Sequence, residues 1–284
     1  MRFTKMHGAG NDFIVVDPGE VEDRELPDLA RRVCDRHFGV GADGILIPTP
    51  SGAADLRMVY LNSDGSEAEM CGNGIRCLAR YARDYELTDE DSLTIETGAG
   101  TKEVLLCEDG SSRVDMGPPH FEGERELEGF GFTLVSMGNP HAVAFLSSER
   151  EVEGLDLKAV GPRVEGDPSF PGGTNVEFVH VRDRHELRMR IWERGAGETL
   201  ASGTGSSAVA VAAVHRGLAE SPVRVVLDGG TVEIEWSGGE EPVWMKGPAE
   251  YICEGEFMLQ DGAPEAEPPA DLGSGTRVPA FPPL

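Results

Sequence analysis

Residues 67–76 read EAEMCGNGIR, and residues 198–207 read ETLASGTGSS. In both stretches a Gly-x-Gly follows one tip residue, which is Cys71 in the first stretch and Ser202 in the second. A turn of small residues that runs into an apolar segment is typical of a helix N-terminus. The two tips lie 131 residues apart, and similar residues recur at the same offset elsewhere in the chain.

The 131-residue offset indicates an internal duplication. It aligns Met6 with Met137, Asn62 with Glu193, Glu67 with Glu198 and Gly72 with Gly203. Two similar closing segments, DMGPP at 115–119 and MKGPA at 245–249, fall one residue from the same offset. A period of this length is too long for a solenoid and indicates two duplicated domains. We therefore expect an N-terminal lobe over 1–118, a C-terminal lobe over 119–259 and a disordered, Pro-rich acidic tail over 260–284.

The apolar patterns within each half predict many short strands and one long helix. Alternating runs typical of strands are FIVVD, RVDM, HAVAF, VEFVHV, VRVVL and TVEIEW. Helices are predicted for CLARYARDYEL and SAVAVAAVHRGL, each just after its Gly-x-Gly, and for residues 28–36. This content predicts an α+β fold of two pseudo-symmetric lobes, each a curved sheet or barrel around a central helix, with a cleft between them.

The composition excludes several classes of partner. The chain has 284 residues and a formal net charge of −26, from 51 acidic and 25 basic residues. The acidic residues are dispersed, so a nucleic-acid backbone would be repelled. No run of 18 apolar residues predicts a membrane span, and the N-terminus does not resemble a signal peptide, so a cytoplasmic location is expected. Abundant acid with only four lysines favours a salt-rich, halophilic setting, although an ordinary acidic soluble protein fits as well.

The five cysteines do not form a recognisable metal or disulfide pattern. They are Cys34, Cys71, Cys77, Cys107 and Cys253. Without a C-x-x-C pair, neither a metal site nor a redox dithiol is expected. We interpret every cysteine except Cys71 as a packing residue.

Two helix N-termini that face one cleft could hold a carboxylate between their free N–H groups. The same field is expected to lower the pKa of Cys71. One tip residue from each lobe would then reach opposite faces of a carbon atom, as proton removal and return require. No cofactor motif is needed for this chemistry.

A dinucleotide loop at 203–208 lacks a preceding strand, and Ser202 lacks the Gly-x-Ser-x-Gly elbow of hydrolases. Simple capping explains Ser202 but is not expected of Cys71.

The motifs together resemble the diaminopimelate epimerase family over residues 1–258. They are KMHGAGNDFIVVD, FGVGADG, NSDGSEAEMCGNGIRC, MGNPHAV, GTNVEFV and WERGAGETLASGTG, in that order. The resemblance implies epimerisation of L,L-diaminopimelate to the meso form without a cofactor, by two cysteines acting as acid and base. Cys71 matches one of them, and Glu193 and His141 match residues that tune the thiols. The residues that match substrate-holding positions are Asn11, Asn62, Gly72, Asn73, Asn139, Asn175, Glu193, Arg194, Gly203 and Thr204.

Ser202 departs from the family pattern, which has the second catalytic cysteine at this position. Gly44 also stands where many members have glutamine. Three accounts of Ser202 stay open: a substitution that traps an inactive enzyme, a natural change that slows or alters the chemistry, or a hydroxyl that serves as general acid with help from Glu193 and His141. Related amino- or hydroxy-acid isomerases and dehydratases, and a non-catalytic amino-acid-binding paralogue, are the alternative functions. A homodimer is compatible with the sequence, which does not reveal the oligomeric state.

Overall fold

The computed structural model describes residues 1–258, so the tail expected at 260–284 lies outside the described residues. A short 3-10 turn covers Pro18–Glu20. The elements of the first half are β1 (Arg2–Gly8), β2 (Asn11–Val15), α1 (Leu26–Cys34), β3 (Gly44–Thr49), β4 (Leu56–Asn62), α2 (Gly72–Asp84), β5 (Ser92–Thr97), β6 (Gly100–Leu106), β7 (Ser111–Asp115) and β8 (His120–Leu127).

The second half repeats this order with one additional helix and one additional short strand. Its elements are β9 (Phe130–Ser136), β10 (Pro140–Phe145), α3 (Glu149–Gly154), α4 (Leu157–Glu165), β11 (Asn175–Asp183), β12 (Glu186–Glu193), β13 (Gly197–Thr199), α5 (Gly203–His215), β14 (Val223–Val226), β15 (Thr231–Glu235), β16 (Trp244–Pro248) and β17 (Glu250–Glu256). All six predicted strands and all three predicted helices are present, with ends shifted by a few residues.

The pairing of the strands shows the duplication directly. In the first half, β1 to β7 pair in sequence order, with parallel pairs at β2–β3 and β4–β5 and antiparallel pairs elsewhere. In the second half, β9 to β12 and β14 to β16 repeat the pattern, with parallel pairs at β10–β11 and β12–β14. Equivalent helices connect equivalent strands, because a parallel pair needs a long crossover. The predicted α+β fold with two pseudo-symmetric lobes is confirmed.

The two halves are tied together at three places. β7 pairs with β16, which joins the sheets of the two lobes. β8 pairs with β9 of the second lobe, and β17 returns to pair with β1 of the first. The last described strand therefore belongs to the sheet of the N-terminal half. β8 thus belongs by its pairing to the sheet of the second half, and the boundary between the lobes near residue 118 stays a prediction.

The central helices α2 and α5 lie inside the curved sheets and form the core. Each has 13 residues, and ten of them are buried. α5 is built almost entirely of small apolar residues, which suits a helix surrounded by sheet on all sides. Small residues also let the two helices approach each other, and a single cluster of buried side chains contains both of them. Smaller clusters form under α1 and α4 on the outside.

Candidate active site

The two tip residues are matched N-caps. Cys71 precedes α2 with φ −140° and ψ 117°, and Ser202 precedes α5 with φ −140° and ψ 122°. The Cys71 thiol accepts the N–H of Gly74 at 3.5 Å, and the Ser202 hydroxyl accepts the N–H of Gly205 at 3.2 Å. The expectation that a cysteine would not cap its helix was therefore wrong. The Gly-x-Gly forms the first helical turn itself, and a Cβ atom on Gly205 would lie 2.7 Å from Cδ1 of Ile191 and 3.1 Å from the Ser202 hydroxyl.

The first residues of the two helices meet head to head. A Cβ atom placed on Gly203 would lie 3.4 Å from the Cα of Gly72 and 3.1 Å from the Cε of Met245. On Gly72 it would lie 2.7 Å from the same methyl group. The two N-termini can thus approach this closely because both positions are glycine and carry no Cβ atom. The first N–H groups of a helix have no acceptor within it, so two sets of donors converge on one point.

The thiol of Cys71 lies in a group of amides. It donates to Oδ1 of Asn11 at 3.5 Å, and Nδ2 of Asn73 donates to the same oxygen at 3.2 Å. Burial raises the pKa of Cys71, and the N–H groups of Gly74 and Asn73 only partly oppose this effect. The expected net lowering of the pKa of Cys71 was wrong, because burial destabilises the thiolate more than the N–H groups stabilise it.

Asn11 is held from the other side by a carboxylate. Its Nδ2 donates to Asp43 at 2.6 Å, and Arg36 donates to Asp43 at 2.8 Å. This chain of contacts fixes the amide of Asn11, so that its oxygen points to the thiol. The sequence did not single out Asp43 or Arg36, although Asp43 lies within the FGVGADG motif.

Ser202 is buried and lies near a carboxylate of its own lobe. Burial raises the pKa of Glu193, while the hydroxyls of Thr199 and Ser202 lower it. Thr199 Oγ1 donates to Oε1 of Glu193. The negative charge of Glu193 also raises the pKa of Cys71 across the cleft. Glu193 is therefore electrostatically close to both tips.

His141 is completely buried in a polar chain. Its Nε2 contacts Oδ1 of Asn139 at 3.0 Å, and its Nδ1 contacts Oε1 of Glu177 at 2.6 Å. Nδ2 of Asn139 donates to Thr204 Oγ1 at 3.3 Å, at the start of α5. The other carboxylate oxygen of Glu177 has no hydrogen-bond partner among the described residues, and burial raises the pKa of Glu177. Glu177 was missed because it lies in an apolar strand run, where the sequence gives no sign of a buried carboxylate.

Asn175 and Arg194 are coupled through the backbone. Oδ1 of Asn175 accepts the N–H of Arg194 at 2.9 Å, and its Nδ2 donates to the carbonyl of Pro140 at 2.9 Å. The exposed guanidinium of Arg194 donates to the carbonyl of Gly172 at 3.3 Å. Within residues 1–258 it forms no ion pair with a carboxylate, so its charge is available to a ligand.

Asn62 lies at the end of β4, opposite Gly44 in the strand pairing. Its Nδ2 donates to Ser66 Oγ at 3.0 Å. A Cβ atom on Gly44 would lie 2.5 Å from the carbonyl oxygen of Leu61 and 2.6 Å from the ring of Tyr60. The buried ring of Tyr60 thus fills the space that a larger residue at position 44 would need.

Apart from Asn62, whose side chain bonds to Ser66, the predicted residues form two groups, one around each tip. Asn11, Asn73 and Gly72 surround Cys71; Glu193, His141, Asn139, Thr204 and Gly203 lie on the Ser202 side, with Asn175 and Arg194 beside them. Within the described residues no cluster of His, Cys, Asp or Glu side chains could hold a metal ion. In the same part of the chain, no helix is long and apolar enough to cross a membrane.

Paired lobes, two abutting helix N-termini and a proton-bearing group at each tip are suited to proton transfer at the two faces of one carbon atom, which is the chemistry of racemases and epimerases. Solved structures share the fold: a PhzF-family phenazine biosynthesis protein of Bacillus anthracis has a TM-score of 0.68 at 20% identity, covering 92% of this chain and 99% of its own. A probable proline racemase from Agrobacterium radiobacter has a TM-score of 0.65 at 16% identity, covering 91% and 93%. Identities this low show the fold alone.

The sequence comparisons identify the family. The sequence profile of the diaminopimelate epimerases matches residues 3–122 and 133–252. The diaminopimelate epimerase of Moorella thermoacetica is 48% identical over 281 residues, covering 91% of this chain and all of that protein. That of Acetivibrio thermocellus is 45% identical over 282 residues, covering 92% and all of it. The chain belongs to the diaminopimelate epimerase family.

Proposed function

We propose that this chain interconverts L,L- and meso-diaminopimelate without pyridoxal phosphate, by moving a proton between the two faces of one α-carbon. The observation that carries the proposal is the meeting of two helix N-termini, each capped by a side chain with a transferable proton. Its relatives are named as diaminopimelate epimerases, and the family places the reaction in lysine synthesis.

The first N–H groups of α2 and α5 would hold the reacting carboxylate. The proposed donors are Gly72, Asn73, Gly203 and Thr204. As the α-proton leaves, negative charge develops on this carboxylate, and donors already aimed at it lower the barrier. Such preorganised donors are worth several kcal/mol in other enzymes, about 2.7–4 for a single donor.

The proton transfers would involve one thiol and one hydroxyl. In one direction the thiolate of Cys71 takes the α-proton, while Ser202 gives its proton to the opposite face. Glu193, whose pKa burial raises, then returns a proton to Ser202. A hydroxyl is a weaker acid than a thiol and needs such a partner. We therefore expect a slower reaction than two thiols would support.

The distal amino-acid end of the substrate would be recognised by polar groups. Arg194 has the fork geometry that a carboxylate accepts in bidentate fashion. Asn62 and Asn175 can offer both donors and acceptors. Asn11 would orient Cys71, and His141 with Asn139 would orient Thr204 at the start of α5.

The experiment follows deuterium at the α-carbon. Each stereoisomer is incubated separately in heavy water, and NMR measures both α-deuterium incorporation and the appearance of the other isomer. We expect both in the parent protein and neither in Cys71→Ala, while Cys77→Ala controls for loss of a cysteine from the same helix. Binding by calorimetry without exchange would instead identify an amino-acid-binding paralogue, and exchange without inversion a one-base enzyme.

We also propose that the protein works in the cytoplasm of a salt-rich cell and that it forms a homodimer. The charge of −26 supports the first, because only screening relieves such repulsion. β17 supports the second, because it pairs on one side with β1 and is exposed along its whole length. Sedimentation in molar potassium chloride measures the oligomeric state.

A further inference from the structure

Arg76 is a completely buried arginine in the second turn of α2. Its guanidinium donates to the carbonyls of Gly72 and Pro248 at 3.0 and 3.2 Å and to Oδ1 of Asn73 at 2.9 Å. It also lies 3.6 Å from the sulfur of Met245. All four acceptors are neutral, so a full positive charge is buried without an ion pair from residues 1–258.

Two glycines make room for this charge between the lobes. A Cβ atom on Gly8 of β1 would lie 3.0 Å from Nη2 of Arg76, and one on Gly247 of β16 would lie 3.0 Å from Cζ. The guanidinium is therefore enclosed between one strand of each half. A buried charge costs free energy unless something compensates it, so its retention points to an anion that forms nearby.

The contacts of Arg76 lead to the proposed reacting groups. It donates to Asn73, which donates to Asn11, whose oxygen accepts from the thiol of Cys71. Arg76 also binds the carbonyl of Gly72, the first residue of the helix that Cys71 caps. The guanidinium is therefore linked to the thiol through the side chains of Asn73 and Asn11, and it is hydrogen-bonded directly to the first residue of the helix.

We infer that Arg76 is a positioning residue: a fixed buried cation that stabilises the Cys71 thiolate and the carboxylate held at the N-terminus of α2. The part of this inference that concerns the substrate carboxylate rests on the proposed function, whereas the part that concerns the Cys71 thiolate does not. In agreement, Arg76 lowers the pKa of Cys71, and the thiolate forms of Cys77 and Cys71 raise the pKa of Arg76 against the effect of burial.

The second lobe lacks this cation. With the 131-residue offset, Ser207 of α5 is the counterpart of Arg76, and its hydroxyl donates to the carbonyl of Gly203 at 2.9 Å, as Arg76 does to Gly72. The hydrogen bond is duplicated, but the charge is not. The two tips are therefore electrostatically unequal, with the anion favoured at Cys71 and the neutral acid at Ser202.

Other ionisable groups also face Cys71. Glu193 of β12 raises the pKa of Cys71 from across the cleft. Tyr60 of β4 and Cys77 of α2 are both kept neutral near pH 7, because burial raises the pKa of Tyr60 and brings that of Cys77 to about 12. Arg76 is thus the cation opposed to Glu193 in setting the ionisation of the thiol.

The test measures the ionisation of Cys71 without relying on turnover. Peptide-resolved mass spectrometry follows alkylation of Cys71 by iodoacetamide across pH in the full chain. In Arg76→Met we expect the midpoint of the alkylation curve to rise, and in Arg76→Lys, which keeps the charge, we expect it to stay near the parent. A structural role alone would lower the melting temperature of both variants and leave both midpoints in place, which would overturn the inference.

A second comparison applies if Arg76→Met does not fold. In Ser202→Cys, the thiol at position 202 has Ser207 in the place that Arg76 takes in the first lobe, so the midpoint of its alkylation curve should lie above that of Cys71. Equal midpoints would overturn the inference. α-Deuterium exchange separates the two proposals. A shifted alkylation midpoint in a protein that shows no exchange supports the role of Arg76 and rejects the epimerase activity. Exchange with an unshifted midpoint supports the epimerase activity and rejects the role of Arg76.

Discussion

Cys71 and Ser202 are equivalent residues of the duplicated chain, and their backbone φ values are the same at −140°. Each caps a 13-residue helix by accepting the N–H of the residue three positions later. The two groups thus share one backbone geometry but differ in acidity and in the charges that surround them. A substitution at either tip therefore tests chemistry with little change in shape.

Ser202→Cys should raise the epimerisation rate by at least about 10²-fold, the effect typical of a positioned proton-transfer group. A thiol ionises much nearer neutral pH than a hydroxyl. The matched control is the exchanged variant, Cys71→Ser with Ser202→Cys, which keeps one thiol and should stay as slow as the parent. Ser202→Cys should also gain oxidative inactivation that dithiothreitol reverses. A rate within a few-fold of the parent would show that the hydroxyl is already competent.

Arg194→Lys should weaken substrate binding by about 1.5–3 kcal/mol, as expected for a hydrogen bond to a charged group. Lysine keeps the charge but loses the planar fork. Calorimetry with diaminopimelate measures the change. Arg163→Lys is the control, because Arg163 already pairs with Glu128 at the surface. Unchanged affinity in Arg194→Lys would remove Arg194 from the substrate site.

Thr199→Val should move the alkaline limb of the pH–rate profile to higher pH, for the direction in which Ser202 donates its proton. The hydroxyl of Thr199 lowers the pKa of Glu193, so its removal leaves burial to raise that pKa further. Because the protonated form of Glu193 returns the proton to Ser202, activity then persists to higher pH. Thr199→Ser keeps a hydroxyl and should retain the parental profile. Superimposable profiles for all three proteins would exclude this role of Glu193.

Gly72→Ala should destabilise the protein by about 1–3 kcal/mol, the usual cost of an extra methyl group in a packed core. The new Cβ would lie 2.7 Å from Cε of Met245, which is itself fully buried and has little room to move. Urea unfolding measures the loss. Gly154→Ala is the control, because a Cβ there would meet nothing within 4 Å. Equal stability of the two variants would show that the helix N-termini are less tightly apposed than described.

The melting temperature should rise steadily with potassium chloride. At a net charge of −26, repulsion extends over a screening length that falls from about 30 Å at 0.01 M to about 3 Å at 1 M. Calorimetric scans from low to molar salt measure the trend, and sucrose at equal osmolality controls for effects other than screening. A melting temperature that does not depend on salt would reject adaptation to a salt-rich cell.

The sequence could predict the elements whose signals are local. Gly-x-Gly before an apolar run located both central helices, and alternation located strands such as β10 and β15. α3 and α4 were missed because both are short and α4 contains Pro162 in its interior, which argues against a helix. The exchange of β8 and β17 between the halves was also missed, since strand pairing depends on contacts far apart in the chain.

The sequence by itself determined the duplication, the two tips and most residues around them, because each lies in a short motif whose residue types are unusual. Only the tertiary structure decided the electrostatics. Whether the thiol of Cys71 is more or less acidic than usual depends on burial, on Glu193 from the other lobe and on Arg76 beneath it. The roles of Glu177 and Arg76 depend likewise on the removal of water, which no local pattern records. Charges act through space and through the loss of solvent, so their effect exists only once the chain has folded.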